Sequence, residues 1–310
     1  MRIYFETSAV NYLYDHIFNT EEYSSIKTRT LQLQKGRKWQ ISNITLWEIF
    51  QTKDRNRRLV LFDFARSLFY NHLISSVEEI IINYINSGCP INEKKYELIS
   101  QSFLAKEWLK ACDNSNYYFE PDRYQLEQRS EHLRRIGKYF NKTENGIYLN
   151  SYQEINEGTN KLDASFLKHI FSKLLYISGL EPNEETKNYI IYSMQIVLLI
   201  LCYGISFDQP LLEQFWNKNK TTEPLERLEI AVNTFPDVFF RGPLANITKM
   251  MILQSGNKSR GMYFDALHSI YITYSDLFIT EDKHFLKYRE RNFNDPNTFK
   301  ILQVKDLLLA

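Results

Sequence analysis

The chain has 310 residues, 44% of them hydrophobic and 24% charged, with a formal net charge of +1. That describes an ordinary soluble globular protein, longer than one average domain and able to bury a substantial core. Near-neutrality removes any argument from bulk charge for a nucleic-acid binder, leaving only local basic patches, and 10 Gly with 8 Pro argues against an all-β or loop-dominated fold.

The chain opens on "MRIYFETSAVNYLYD". Arg2–Phe5 alternates and reads as a short strand, and "SAVNYLYDHIF" starts a helix with Thr7 or Ser8 as N-cap. A second helix follows from about Glu21 to Lys35 and ends at Gly36. "KWQISNITLWEIFQTKDR" repeats the grammar: a strand (Trp39–Ile41), a polar cap at Ser42 or Asn43, then a helix. From about Leu59 to Gly242 apolar residues recur at three and four positions, and turn signals such as "NSGCPINE" and "SGLEPNEE" divide the stretch into helices. The strand-helix grammar returns at the end as a helix (263–275), a strand (277–280), a helix (282–290), a strand in "TFKILQV" and a last short turn in "KDLLLA". Strands alternating with helices predict a mostly parallel sheet. The expected organisation is an α/β core built from both ends of the chain, 1–60 and 243–310, interrupted by a mainly α-helical insertion, 61–242.

No signal-like start is visible. The apolar run "YIIYSMQIVLLILCYGI" (189–205) is short of the roughly 20 residues a membrane span needs and carries Ser193 and Gln195, so it reads as a buried helix. Cys89, Cys112 and Cys202 lie in no metal-ligand spacing and read as reduced thiols. The expected location is cytoplasmic.

Glu6 sits at the end of an apolar strand, where a carboxylate costs stability unless something cationic meets it. Glu48 lies in the helix after the second strand, Asp265 near the start of the helix before "DLFIT", and Asp282 two positions beyond "FIT". Functional groups of an open parallel sheet collect at the carboxyl ends of its strands. Each acid also has a plain structural role: Glu6 as a helix-start anion, Glu48 on a solvated face, Asp265 in a first turn, Asp282 as an N-cap. Together and in this order they predict a cluster that repels itself unless neutralised by a hard divalent cation. Such a cluster holds one or two ions that activate water in phosphodiester hydrolysis.

"YFETSAV", "ISNITLWEI" and "FDALHSIYITYSDLFITEDKHF" resemble the three signature regions of PIN-domain nucleases. The resemblance covers roughly residues 1–60 and 260–305 and implies a three-layer α/β fold. It implies catalytic and metal-binding roles for Glu6, Glu48, Asp265 and Asp282, with Mg²⁺ or Mn²⁺ as cofactor. Thr7 or Ser8, and Thr280, match hydroxyl positions that orient the carboxylates, and Asp276 matches an acid of structural or supporting role. The family's first acid is nearly always Asp, whereas this chain has Glu6, one methylene longer. The implied activity is hydrolysis of RNA, single-stranded or structured, and toxin-like members imply an inhibitory protein partner; no membrane is implied.

His268 lies three residues after Asp265, on the same helix face, where contact with metal or substrate phosphate is one reading and a hydrogen-bonded neighbour the plainer one; His284 reads as surface. In "KDRNRR", Lys53, Arg55, Arg57 and Arg58 follow the Glu48 helix and are candidates for phosphate contacts. "RSEHLRRIGKYFNK" (129–142) carries Tyr139 and Phe140 as candidate base-stacking rings. Two other readings remain: a non-catalytic nucleic-acid-binding protein that keeps the fold, and a scaffold whose helical middle binds protein.

Overall fold

The computed structural model describes residues 1–18, 34–70, 72–76, 79–80, 103–122, 261–291 and 296–309. The helix expected over 21–35, most of the helical stretch and the run 189–205 lie outside them. Among the described residues no helix is long and apolar enough to cross a membrane. The chain divides into two compact units, one of residues 1–76, 96–127 and 267–310, the other of 77–95 and 128–266. The first unit holds the sheet.

Four strands form an all-parallel sheet: β1 (Arg2–Phe5), β2 (Lys38–Gln40), β3 (Leu277–Ile279) and β4 (Ile301–Leu302), in the order β2-β1-β3-β4. The described helices, numbered in chain order, are α1 (Thr7–Tyr12), α2 (Asn43–Phe50), α3 (Arg55–Leu68), α4 (Phe103–Asp113), α5 (Gly261–Tyr274), α6 (Lys283–Arg291) and α7 (Val304–Leu309). α1 runs on as a π-helical stretch, Leu13–Phe18, and a 3₁₀ turn, Pro296–Lys300, precedes β4.

β1 lies between β2 and β3, with Ile3 opposite both Trp39 and Leu277. The chain goes from β1 to one neighbour and returns much later to the other, so the strand order reverses between β1 and β3. This is where a doubly wound sheet opens a crevice at its carboxyl edge. The ladder continues one step past the strands, with the Glu6 N–H donating to Ile279 O at 3.0 Å.

Alternation along the strands sorts side chains onto two faces. Tyr4 stacks on Phe278 and on Tyr271 of α5, with ring centroids 5.3 and 4.6 Å apart. Phe5 meets Trp39 and Phe69 on the opposite face. Both faces are covered, which is why the strands read as nearly continuous apolar runs. Three expectations shift locally. β2 starts one residue earlier than expected, the last segment is the helix α7 rather than a turn, and the N-cap of α1 is Glu6, not Thr7 or Ser8. Ser42 caps α2 as expected, accepting from Ile44 N.

Phe278 is fully buried between Tyr4 and Phe285. Phe278→Ala is expected to destabilise the protein by about 3–5 kcal/mol, read as a lower urea midpoint. Phe299→Ala, at a side chain 74% exposed, is expected to stay within about 0.5 kcal/mol. Equal effects at the two positions would contradict this core.

Candidate metal centre

Glu6 leaves β1 at the reversal point and caps α1. Its Oε2 accepts from Ser8 N at 2.9 Å, from Ser8 Oγ, and from Thr280 Oγ1 at 3.1 Å. One carboxylate oxygen is thereby saturated by donors from both central strand ends. These bonds offset the desolvation of an acid that is 4% exposed. The other oxygen, Oε1, lies 4.0 Å from His268 Nε2.

Helices α2 and α5 bring Glu48 and His268 to the same place. His268 is fully buried. Its Nδ1 lies 2.6 Å from the Tyr4 hydroxyl, and its Nε2 lies 2.9 Å from Glu48 Oε2. Thr7 Oγ1 donates to the same Glu48 oxygen. Tyr4 also pairs with Ser42 Oγ at 2.8 Å. Burial holds the Tyr4 hydroxyl well above its ordinary pKa, and the charges of Glu6 and Glu48 add to this. It therefore remains an O–H donor across the working pH range.

Asp282 follows β3 and starts α6. Its Oδ1 accepts from His284 N at 2.6 Å and lies 3.3 Å from His284 Nδ1. Its own N–H donates to Thr280 Oγ1 at 3.0 Å, so one hydroxyl joins Glu6 to Asp282. Ser8 adds a second link, accepting from Glu281 N at 2.9 Å.

Within the first unit the ligand-capable atoms of Glu6, Glu48 and His268 all lie within 4.8 Å of one another, and Asp282 stands beside His284. The two groups are joined through Thr280, which donates to Glu6 and accepts from the Asp282 N–H. Two carboxylates at 4.8 Å repel by about 3–4 kcal/mol at an effective dielectric of 20. A divalent cation removes that cost, and oxygen with imidazole donors is a set that such ions accept. The donor set fits a metal.

No family model, curated protein or solved structure matches the chain.

Glu6, Glu48 and Asp282 and the hydroxyls of Thr7, Ser8 and Thr280 belong to one connected arrangement. His268 completes the triad with Glu6 and Glu48, a place the sequence analysis gave it only as an alternative to an ordinary hydrogen-bonded neighbour; its spacing of three residues after Asp265 was the available signal. Asp276 lies elsewhere. It precedes β3, at the amino edge of the sheet, where its Oδ2 accepts from Arg2 N at 2.6 Å and its own N–H donates to Arg2 O. There it fastens the start of β1 to the segment that leads into β3.

The basic stretch is divided by the period of α3. Lys53 and Arg55 are exposed. Arg57 pairs with Asp15 at 2.6 Å and lies over the Tyr14 ring. Arg58 is no surface residue: it is 3% exposed, donates to Thr52 O at 2.6 Å and pairs with Glu120. It shares the buried face of α3 with Leu61, Phe62 and Ala65. Tyr139, Phe140 and the stretch 129–142 lie outside the described residues.

Saturating Mn²⁺ or Mg²⁺ is expected to raise the unfolding temperature; at one hundred times Kd, binding adds about 2.7 kcal/mol. Glu48→Gln is expected to remove most of the Mn²⁺ shift and Asp276→Asn to leave it unchanged. A Mn²⁺ shift that survives Glu48→Gln in full would place the ion elsewhere.

Proposed function

We propose that the chain is a metal-dependent nuclease of PIN type, hydrolysing phosphodiester bonds in RNA. The observation that carries this reading is the position of the acids. Glu6, Glu48 and Asp282 gather where the order of an all-parallel sheet reverses, at the strands' carboxyl ends, and Glu6 and Glu48 have metal-ligand spacing with His268. The three sequence regions that resemble the family supply these residues in the family's order. On this reading the fold is the three-layer PIN-like core, with residues 61–242 as its helical insertion.

In the proposed mechanism Glu6, Glu48, Asp265 and Asp282 hold Mg²⁺ or Mn²⁺. The bound ion would lower the pKa of water and neutralise charge on the phosphate and leaving oxygen. The chain's own residues set the geometry. Ser8 and Thr280 fix one oxygen of Glu6, leaving the other toward His268. Thr7 and His268 orient Glu48. The His284 backbone N–H holds one oxygen of Asp282. Because Oε2 of Glu6 is absorbed by the cap, the extra methylene relative to Asp spans the distance from strand end to cap while Oε1 still faces the site. Exposed Lys53 and Arg55 suit phosphate contacts, which supply affinity without sequence information.

The test is cleavage of labelled single-stranded RNA and DNA with Mn²⁺ or Mg²⁺. RNA is expected to be cut, EDTA to stop the reaction, and Asp265→Asn or Asp282→Asn to slow it at least about 100-fold, the upper range for loss of even an outer-sphere partner. Cleavage indifferent to EDTA and to both substitutions would overturn the reading. Tight RNA binding with no cleavage would favour a binding protein that retains the fold.

A further inference from the structure

We infer that His268 is itself a metal ligand, through Nε2, making Glu6–Glu48–His268 a mixed imidazole-carboxylate site that takes a first-row transition ion such as Mn²⁺ or Zn²⁺ in preference to Mg²⁺. The inference rests on the proposed metal centre and names its occupant more closely.

Three observations carry it. The first is spacing. Bonds of about 2.0–2.2 Å place neighbouring ligand atoms of one ion about 3 Å apart and opposite ones about 4.2 Å apart. From His268 Nε2 the distances are 2.9 Å to Glu48 Oε2 and 4.0 Å to Glu6 Oε1. The second is the ring's other nitrogen. A metal-bound histidine characteristically gives its second N–H to an outer acceptor that fixes tautomer and orientation. His268 Nδ1 has that partner in the Tyr4 oxygen at 2.6 Å, and Tyr4 can in turn donate to Ser42 Oγ at 2.8 Å. With the ring proton on Nδ1, the Nε2 lone pair and two carboxylates face one small volume beside the Thr7 hydroxyl, 3.4 Å from Nε2, an arrangement that a cation satisfies.

The third is burial. His268 is 0% exposed and Glu6 4% exposed. Mg²⁺ gives up its water reluctantly and is usually held by one or two carboxylates with several waters retained, whereas imidazole suits the transition ions. His284 and Asp282 differ: their side chains are 34% and 32% exposed, and Asp282 already accepts the His284 backbone N–H. That more open pair suits a hydrated ion.

The test uses untagged full-length chain stripped of metal, loaded with one equivalent of Mn²⁺, and read by pulsed electron paramagnetic resonance for ¹⁴N coupling. Titration calorimetry with Mn²⁺, Zn²⁺ and Mg²⁺ runs alongside. Wild type is expected to show imidazole nitrogen coupling and to bind Mn²⁺ at least tenfold more tightly than Mg²⁺. His268→Gln is expected to abolish the coupling and to weaken Mn²⁺ by more than about 100-fold, beyond the outer-sphere range, with Mg²⁺ changed no more than about threefold. His284→Gln is expected to keep the coupling. Tyr4→Phe, which retains the ring between Tyr271 and Phe278, is expected to weaken Mn²⁺ about tenfold, and it serves if His268→Gln does not fold.

Mn²⁺ bound without nitrogen coupling, coupling that survives His268→Gln, or coupling lost in His284→Gln would each overturn the assignment while leaving a carboxylate-held ion intact. An unaltered Mn²⁺ affinity in Tyr4→Phe, where that variant has to serve, would overturn it too. Binding of none of the three ions would overturn both the assignment and the metal-dependent reading beneath it.

Discussion

The pairing of β1 with β3 is the constraint on which the rest depends. It joins the first residues of the chain to Leu277–Ile279 in a fixed register, and the long stretch between Gln40 and Leu277 must close for it to form. Closure entropy grows only logarithmically, at about 0.6 kcal/mol per doubling of loop length, so a sheet closed by buried aromatic strands tolerates a long intervening segment. What it does not tolerate is a slip in register. One residue of slip would carry Thr280 away from Glu6 and put Tyr4 on the face opposite Tyr271 and His268. The core packing that selects the register therefore also positions the acids.

That coupling gives Glu6 and Asp282 two duties each. Both stand just past a central strand and both cap the helix that follows. A helix start supplies N–H groups, and these stabilise a carboxylate that the crevice would otherwise expel. The cap uses one oxygen, leaving the other for the crevice. Substituting these acids with the amide isostere preserves much of the cap, whereas alanine removes cap and ligand together. Only the first kind of substitution separates folding from chemistry at these positions.

The strands were legible because parallel strands covered on both faces read as short apolar runs bounded by caps, and Arg2–Phe5 and Leu277–Ile279 carry that pattern. Boundaries moved by a residue where neighbouring residues could serve equally, as at β2. The cap of α1 was assigned to Thr7 or Ser8 on hydroxyl preference; Glu6 takes it because its backbone is still extended where Thr7 is already helical, and its carboxylate accepts the Ser8 N–H. Glu6, Glu48 and Asp282 stand together in the order the sequence suggests, yet the grouping of Glu6 and Glu48 with His268 was not legible, since that depends on which side of α5 faces the strand end. Arg58 was misjudged as one member of a basic run, although its spacing to Leu61, Phe62 and Ala65 already placed it on the apolar stripe of an amphipathic helix. Asp276 was matched by position alone, and only the strand's direction reveals that it stands at the amino edge.

His268 is where the limits of pattern are clearest. A histidine on an apolar helix face is more often a satisfied core residue than a ligand, and its contacts with Tyr4 and Glu48 fit that ordinary role. The same contacts are the ones a metal-binding imidazole requires: one nitrogen fixed by an outer partner, the other turned toward carboxylates. The two descriptions differ only in whether a proton or a metal ion lies between Nε2 and Glu48. The buried Tyr4 hydroxyl permits either, because it donates or accepts toward the ring according to which way Ser42 is engaged. A short chain of hydroxyls running from the cap of α2 to the ring therefore couples the tautomer of His268 to the engagement of Ser42.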